Sequence, residues 1–281
     1  MTQVAVVGTG NVGSALLIHL VEVPTIERVL VINLEDDWSK AAIMDAASAR
    51  PEAALKLEVS HFPDLGESDV VALTSGAQMK KGEVGADLLQ SNTQIMNAIL
   101  DQATLKPGAV VISLATPVDD ITAHIQARYG LPTPQVIGFG GDLDRNRLAY
   151  VLSKRGLPGK EIGVVGEHGK KTIPFYQGDV DYAQVARDVR NFLGDITAQG
   201  GSPRNLATGP LLARLIDSIA NDRRRVHFVC GYHQQFDVYL TWPFVVGRSG
   251  AHEPQPVDLA PQAEREFGLL LQSRIQRAPG R

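Results

Sequence analysis

Apolar positions recur along this chain at two spacings. Short, nearly continuous runs rich in β-branched residues occupy positions 4–7, 28–33, 69–74, 109–114 and 135–140, with a weaker run at 56–60, and these predict strands buried on both faces. Between them, apolar residues recur every three to four positions over 14–23, 38–49, 86–104 and 118–129, the spacing of helices. Strand alternating with helix in this way predicts an α/β fold, a doubly wound parallel sheet of six strands. Beyond residue 140 the rhythm changes: a helix over 143–155, a strand and turn over 161–169, helices over 182–199 and 206–224, antiparallel strands over 226–232 and 238–246, and a last helix over 261–276. Two domains are expected, the doubly wound one at 1–141 and an α+β one at 142–281.

The first strand runs directly into Gly8-Thr9-Gly10-Asn11-Val12-Gly13, a G-x-G-x-x-G followed by helical spacing. That context makes the motif a dinucleotide-binding, Rossmann-type turn. Gly8 permits the tight turn, Gly10 lets bare backbone approach a pyrophosphate, Gly13 lets helix pack on strand, and the helix N-terminus offers N–H groups to the anion. Twenty residues past Gly13, where such folds place an acid on the adenine ribose, stands Asn33. Glu35, Asp36 and Asp37 follow it and disfavour a 2′-phosphate, so NAD is expected over NADP. The segment 76–85, punctuated by Gly76, Gly82 and Gly85, reads as a loop at the carboxyl end of a strand, where ligands of open α/β sheets bind.

Composition adds exclusions. A hydrophobic fraction of 44% and a net charge of -4 give no electrostatic reason to expect nucleic acid or an anionic membrane. No apolar run is long enough to span a bilayer and no secretory leader is read, so a cytoplasmic protein is expected. The single Cys230 sits in an apolar run and reads as a buried thiol. His227 and His233 share its strand but face opposite to it, which argues against a shared metal; none is expected.

Several further runs share one order and spacing: Ile43-Met44-Asp45, Thr74-Ser75-Gly76-Ala77, Lys81-Gly82-Glu83, Pro117-Val118-Asp119, Leu143-Asp144-Arg145-Asn146-Arg147 and Gly166-Glu167-His168-Gly169. With the glycine turn they resemble the lactate/malate dehydrogenase family over essentially the whole chain. The resemblance implies NAD-dependent hydride transfer to or from a small 2-hydroxy or 2-oxo acid. It implies His168 as proton donor and acceptor, Asp144 as the carboxylate that orients it, and Arg147 as the clamp on the substrate carboxylate. Imidazole suits the first role because it titrates near working pH, and a planar guanidinium suits the last. Cofactor contacts are implied for Gly8, Gly10, Asn11, Val12, Gly13, Asn33, Thr74, Gly76, Ala77 and Thr116, and a homodimer or homotetramer for the assembly.

The chain also departs from that pattern. Gly85 stands where the family's loop carries an arginine that polarises the substrate carbonyl, and one such donor is worth about 10²–10³ in rate. Thr116 replaces the asparagine expected before Pro117. Met79 occupies the specificity position, which argues against a dicarboxylate and for an apolar or unusual substrate, and Arg204 falls near the substrate pocket. The departures at Asn33, Gly85 and Thr116 leave a second possibility open, a cofactor-binding relative with lost or reduced chemistry that acts as a sensor or partner.

Overall fold

The computed structural model describes residues 2–77, 85–157, 161–200 and 206–277. Six strands, β1 (Thr2–Val7), β2 (Ile26–Ile32), β3 (Leu57–Ser60), β4 (Val70–Leu73), β5 (Val110–Ser113) and β6 (Val136–Phe139), pair in parallel in the order 3-2-1-4-5-6. This is the doubly wound, Rossmann-type sheet expected from the sequence. Central β1 is flanked by β2 and β4, with Val6 registered against Val31 and Ala72.

Side chains along a strand alternate between faces, and the core divides accordingly. Val4, Val6, Val29, Val31, Val70 and Ala72 lie in one buried cluster, and Ala5, Val7, Leu30, Ile32, Val71 and Leu73 in another on the opposite face. Helices α1 (Asn11–Val21) and α2 (Asp36–Ala49) cover the first face, α3 (Gly85–Leu100) and α4 (Val118–Tyr129) the second. Burial on both faces explains why these strands read as continuous apolar runs.

The chain then forms α5 (Gly141–Ser153), β7 (Gly163–Gly166), β8 (Thr172–Phe175), α6 (Tyr182–Ala198), α7 (Thr208–Ala220), β9 (Arg225–His233), β10 (Val238–Gly247), β11 (Gly250–Pro254) and α8 (Pro261–Arg277). The short strands β8 and β11 were not expected: each is four or five residues long and contains a proline, too short for a period to register. β9 pairs antiparallel with β6 through Gly138–Cys230 and Phe139–Val229, so the later strands extend the parallel sheet instead of forming a separate one. The Arg223-Arg224-Arg225 run follows α7 and is held by acids, Arg223 and Arg225 by Asp217 and Arg224 by Glu253. Among the described residues no helix is long and apolar enough to cross a membrane.

Candidate active site

A cleft of about 1750 Å³ lies at the carboxyl ends of the parallel strands, as expected for an open α/β sheet. Its nucleotide end is the turn from β1 into α1. Gly8 has φ +94, a conformation that L side chains rarely adopt, and a Cβ at Gly13 would stand 1.9 Å from the Gly8 carbonyl oxygen. A Cβ at Gly10 would meet no protein atom within 4 Å. Gly10 is therefore spared a side chain for a reason other than internal packing, and bare backbone at the N-terminus of α1, lining the cleft, fits a pyrophosphate.

Asn33 lies beside this turn, with its hydrogen bonds directed inward. Its Oδ1 accepts the Thr9 N–H at 3.0 Å, and its Nδ2 donates to Thr9 Oγ1 at 3.0 Å and Ser39 Oγ at 2.9 Å. Both amide protons are used, so a donor role toward a ribose is replaced by one in bracing the glycine turn against α2. Glu35, Asp36 and Asp37 are exposed at the start of α2, and Lys40 one turn on is paired with Asp37 at 3.0 Å.

Thr74, Gly76, Ala77 and Thr116 line the same cleft, joined by a residue that the sequence did not single out. Asn92 of α3, fully buried, accepts the Ala77 N–H at Oδ1 and donates from Nδ2 to the Thr116 carbonyl, both at 2.6 Å. It couples the loop after β4 to the cis Thr116–Pro117 peptide after β5. Only the helical period of α3 was legible at Asn92, and a buried amide in such a helix gives no distinct signal.

At the other end, α5 begins immediately after β6 because Gly141 packs against β9, where a Cβ would stand 2.5 Å from the Phe228 carbonyl oxygen. Asp142 anchors this start, accepting from the Phe228 N–H at 2.9 Å and facing His227 Nδ1 at 2.7 Å; His227 Nε2 in turn meets Ser218 Oγ at 2.9 Å. Two residues further, the buried Asp144 carboxylate gathers four groups: His168 Nδ1 at 2.7 Å, the Gly169 N–H at 2.9 Å and Thr172 Oγ1 at 2.9 Å on Oδ2, and Arg147 Nη1 at 2.8 Å on Oδ1. Burial would raise the Asp144 pKa, but the charge and hydrogen bond of His168, with Arg147 and the Gly169 N–H, hold it below the usual carboxylate range. Burial would likewise lower the His168 pKa, and Asp144 outweighs this, so the imidazole titrates above free histidine.

The ring of His168 rests on Gly140, where a Cβ would stand 2.4 Å from its Cγ. Its main-chain N–H donates to the buried Asp119 at 3.0 Å, and Asp119 Oδ1 accepts from Thr241 Oγ1 at 3.2 Å. Behind it, α8 contributes Arg274, 5% exposed, which donates to the Asp119 carbonyl at 3.1 Å and pairs with Asp120. Arg277 pairs with Glu167 next to His168. Neither Gly140 nor Arg274 was singled out in the sequence.

The arrangement brings His168 and Arg147 into one cleft with the glycine turn, with Asp144 buried beneath them. Met79 and Arg204, assigned to the substrate, lie outside the described residues, as do Lys80 and Lys81. Gly85, expected within the loop, is the first residue of α3, because the helix begins one residue earlier than its period suggested. Cys230 is buried, and burial pushes its thiol pKa well up. His227 is committed to Asp142 and Ser218, while His233 stacks on Phe236.

Residues 2–138 match the family model described as lactate/malate dehydrogenase, NAD binding domain. The chain is 26% identical to an L-lactate dehydrogenase of Fervidobacterium nodosum and 27% identical to a malate dehydrogenase of Caldivirga maquilingensis, with 94% of each chain covered in both cases. The chain is a divergent member of the lactate/malate dehydrogenase family. The solved malate dehydrogenase of Aeropyrum pernix superposes with a TM-score of 0.81 at 25% identity, covering 97% of this chain and 96% of that one. As a member of this family the chain is an NAD-dependent dehydrogenase-type enzyme, and NAD is its cofactor.

Proposed function

We propose that this family member interconverts a 2-hydroxy acid and a 2-oxo acid at the His168 end of the cleft. The observation that carries the reading is the shared carboxylate of Asp144, which holds His168 and Arg147 together within the cleft that the glycine turn lines. NAD supplies the hydride acceptor and donor at C2 of the acid. His168, with Nδ1 committed to Asp144, keeps Nε2 for the substrate oxygen: it gives a proton there during reduction and takes one back during oxidation. Arg147 has donors beyond the one used on Asp144, and these orient the substrate carboxylate. Gly8, Gly10, Asn11, Val12 and Gly13 hold the dinucleotide phosphates, with Thr74, Gly76, Ala77 and Thr116 along the rest of its path and Asn33 supporting the turn from behind.

The substrate we favour is neither lactate nor malate, because Met79 stands at the specificity position and Gly85 replaces the loop arginine. A homodimer or homotetramer is the assembly we favour; Met44 on α2, 70% exposed, offers it an apolar contact. NADH consumption against a panel of 2-oxo acids tests the reading, and His168→Ala is expected to abolish turnover while leaving NADH binding nearly intact. A second reading, a cofactor-binding relative with little chemistry, is favoured by Gly85 and Thr116. NADH binding without turnover across the panel supports that alternative.

A further inference from the structure

Three helices meet around Arg147. On α5, Leu143, Arg147 and Tyr150 stand at i, i+4 and i+7, one face of the helix, and all three line the cleft. Opposite, Phe192 and Ile196 of α6, again i and i+4, line the same space, and Leu211 near the start of α7 closes its side. Tyr150 and Phe192 meet edge to face at 5.4 Å between ring centroids, with an interplanar angle of 86°. Tyr150 is nevertheless 52% exposed, so a large part of this aromatic rim faces open cleft. The rim lies one helical turn, about 5 Å, along α5 from Arg147.

Charge separates this chamber from the rest of the cleft. Among the described residues that α5, α6 and the start of α7 contribute to the lining, Arg147 is the one charged side chain. The other described cations of the cleft stand elsewhere. Lys171 pairs with Glu167 at 2.9 Å, Arg277 pairs with Glu167 and Asp120, and Lys170 lies on the loop after His168. One cation in an apolar chamber matches an acid with one carboxylate and an apolar remainder. The cation nearest the rim is Lys154, whose Nζ lies 5.4 Å from the Tyr150 ring centroid but which does not line the cleft, so a second carboxylate would find no cation beyond Arg147 among the described residues lining the chamber.

We infer that the substrate is a 2-oxo or 2-hydroxy monocarboxylic acid with a bulky apolar side chain, seated against the Tyr150–Phe192 rim and Ile196 while Arg147 holds its carboxylate. The inference rests on the dehydrogenase reading above and adds the side-chain class to it. Burying an aliphatic or phenyl group of this kind favours binding by roughly tenfold to a hundredfold. Ring-edge contacts with Tyr150 and Phe192 favour an aromatic member.

The test compares kcat/KM for phenylpyruvate and 4-methyl-2-oxopentanoate with pyruvate and oxaloacetate, under saturating NADH. The first two are expected to lead. Phe192→Ala should lower the phenylpyruvate-to-pyruvate ratio by about tenfold or more. Ile196→Arg should lower phenylpyruvate turnover and raise that of oxaloacetate. A preference for pyruvate or oxaloacetate in the unaltered protein, or an unchanged ratio in both variants, overturns the inference and leaves the dehydrogenase reading standing. If none of the four acids turns over, calorimetric binding of oxamate and N-benzyloxamate to the NADH complex decides the matter without chemistry. Tighter binding of the benzyl compound supports the apolar chamber, and equal or weaker binding overturns it.

Discussion

Asp144 Oδ2 lies 2.7 Å from His168 Nδ1 while Asp144 Oδ1 lies 2.8 Å from Arg147 Nη1, so a single buried carboxylate fixes both the imidazole proposed to carry the proton and the guanidinium proposed to hold the substrate. Replacing it by an amide removes the charge that stabilises imidazolium and one acceptor from the bridge. Asp144→Asn is expected to lower kcat by about 10²–10⁴, the usual worth of a positioned acid–base group, with NADH affinity retained. Steady-state rates beside a fluorescence titration of NADH check this, and a loss under tenfold would remove Asp144 from the mechanism.

The pH dependence follows from the same pair. His168 titrates above free histidine because Asp144 outweighs the opposing effect of burial. Reduction of a 2-oxo acid needs imidazolium, so its rate should hold at low pH and fall as pH rises through this elevated midpoint. Oxidation needs the neutral ring and should rise through the same midpoint. In Asp144→Asn the midpoint should move to lower pH. For stability the sign is fixed likewise: the His168–Asp144 contribution is fully present below the unfolded pKa of histidine and is lost as pH rises through the folded value.

Gly140 sets the position of the imidazole by what it lacks. Its φ of 169 lies outside the left-handed region, and an added methyl would stand 2.4 Å from Cγ of the ring. Gly140→Ala should displace His168 and cost about 10² in kcat, the scale of a misplacement near 1 Å. Circular dichroism and NADH binding should match the parent protein, and an active Gly140→Ala enzyme would show that the ring has room to move.

Arg274 ties the last helix to Asp119 and to Glu167, the neighbour of His168. Its loss leaves Asp120 and Glu167 short of a buried cation, and breaking a buried pair from one side costs about 3–5 kcal/mol. Arg274→Met should lose stability on that scale in urea unfolding. Burial would raise the Glu167 pKa, but Lys171, Arg274 and Arg277 hold it below its ordinary value. That contribution is present above the unfolded pKa of glutamate and is lost as pH falls through the folded one, so the variant should unfold at a higher pH on acidification.

Cofactor choice has its own test. Exposed acids follow Asn33, and Lys40 is paired with Asp37, so NADH should bind more tightly than NADPH. Asn33→Asp keeps an acceptor for the Thr9 N–H, and the Thr9 and Ser39 hydroxyls can turn to donate. The added charge should widen the preference for NADH, read as the ratio of the two dissociation constants.

Much of this architecture was legible because strands buried on both faces write themselves as unbroken apolar runs, as at Val4–Val7, and because the glycine turn has fixed spacing. His168, Asp144 and Arg147 became visible through family spacing, since a histidine between turns and an i, i+3 acid–base pair look ordinary alone. Asn92, Gly140 and Arg274 were not legible: each matters through a contact with residues 24 or more positions away in sequence. Asn33 was singled out by its distance from the glycine turn, but that its amide bonds Thr9 and Ser39 is a matter of geometry that no spacing encodes.

The pairing of β6 with β9 bears on how the chain can be cut. A fragment ending after Phe139 would leave β6 as an edge strand, its N–H and C=O groups at Gly138 and Phe139 open to another copy. The nucleotide-binding half is thus capped by the half that follows it, and production of that half alone would invite edge-to-edge aggregation where the intact chain has none at this seam.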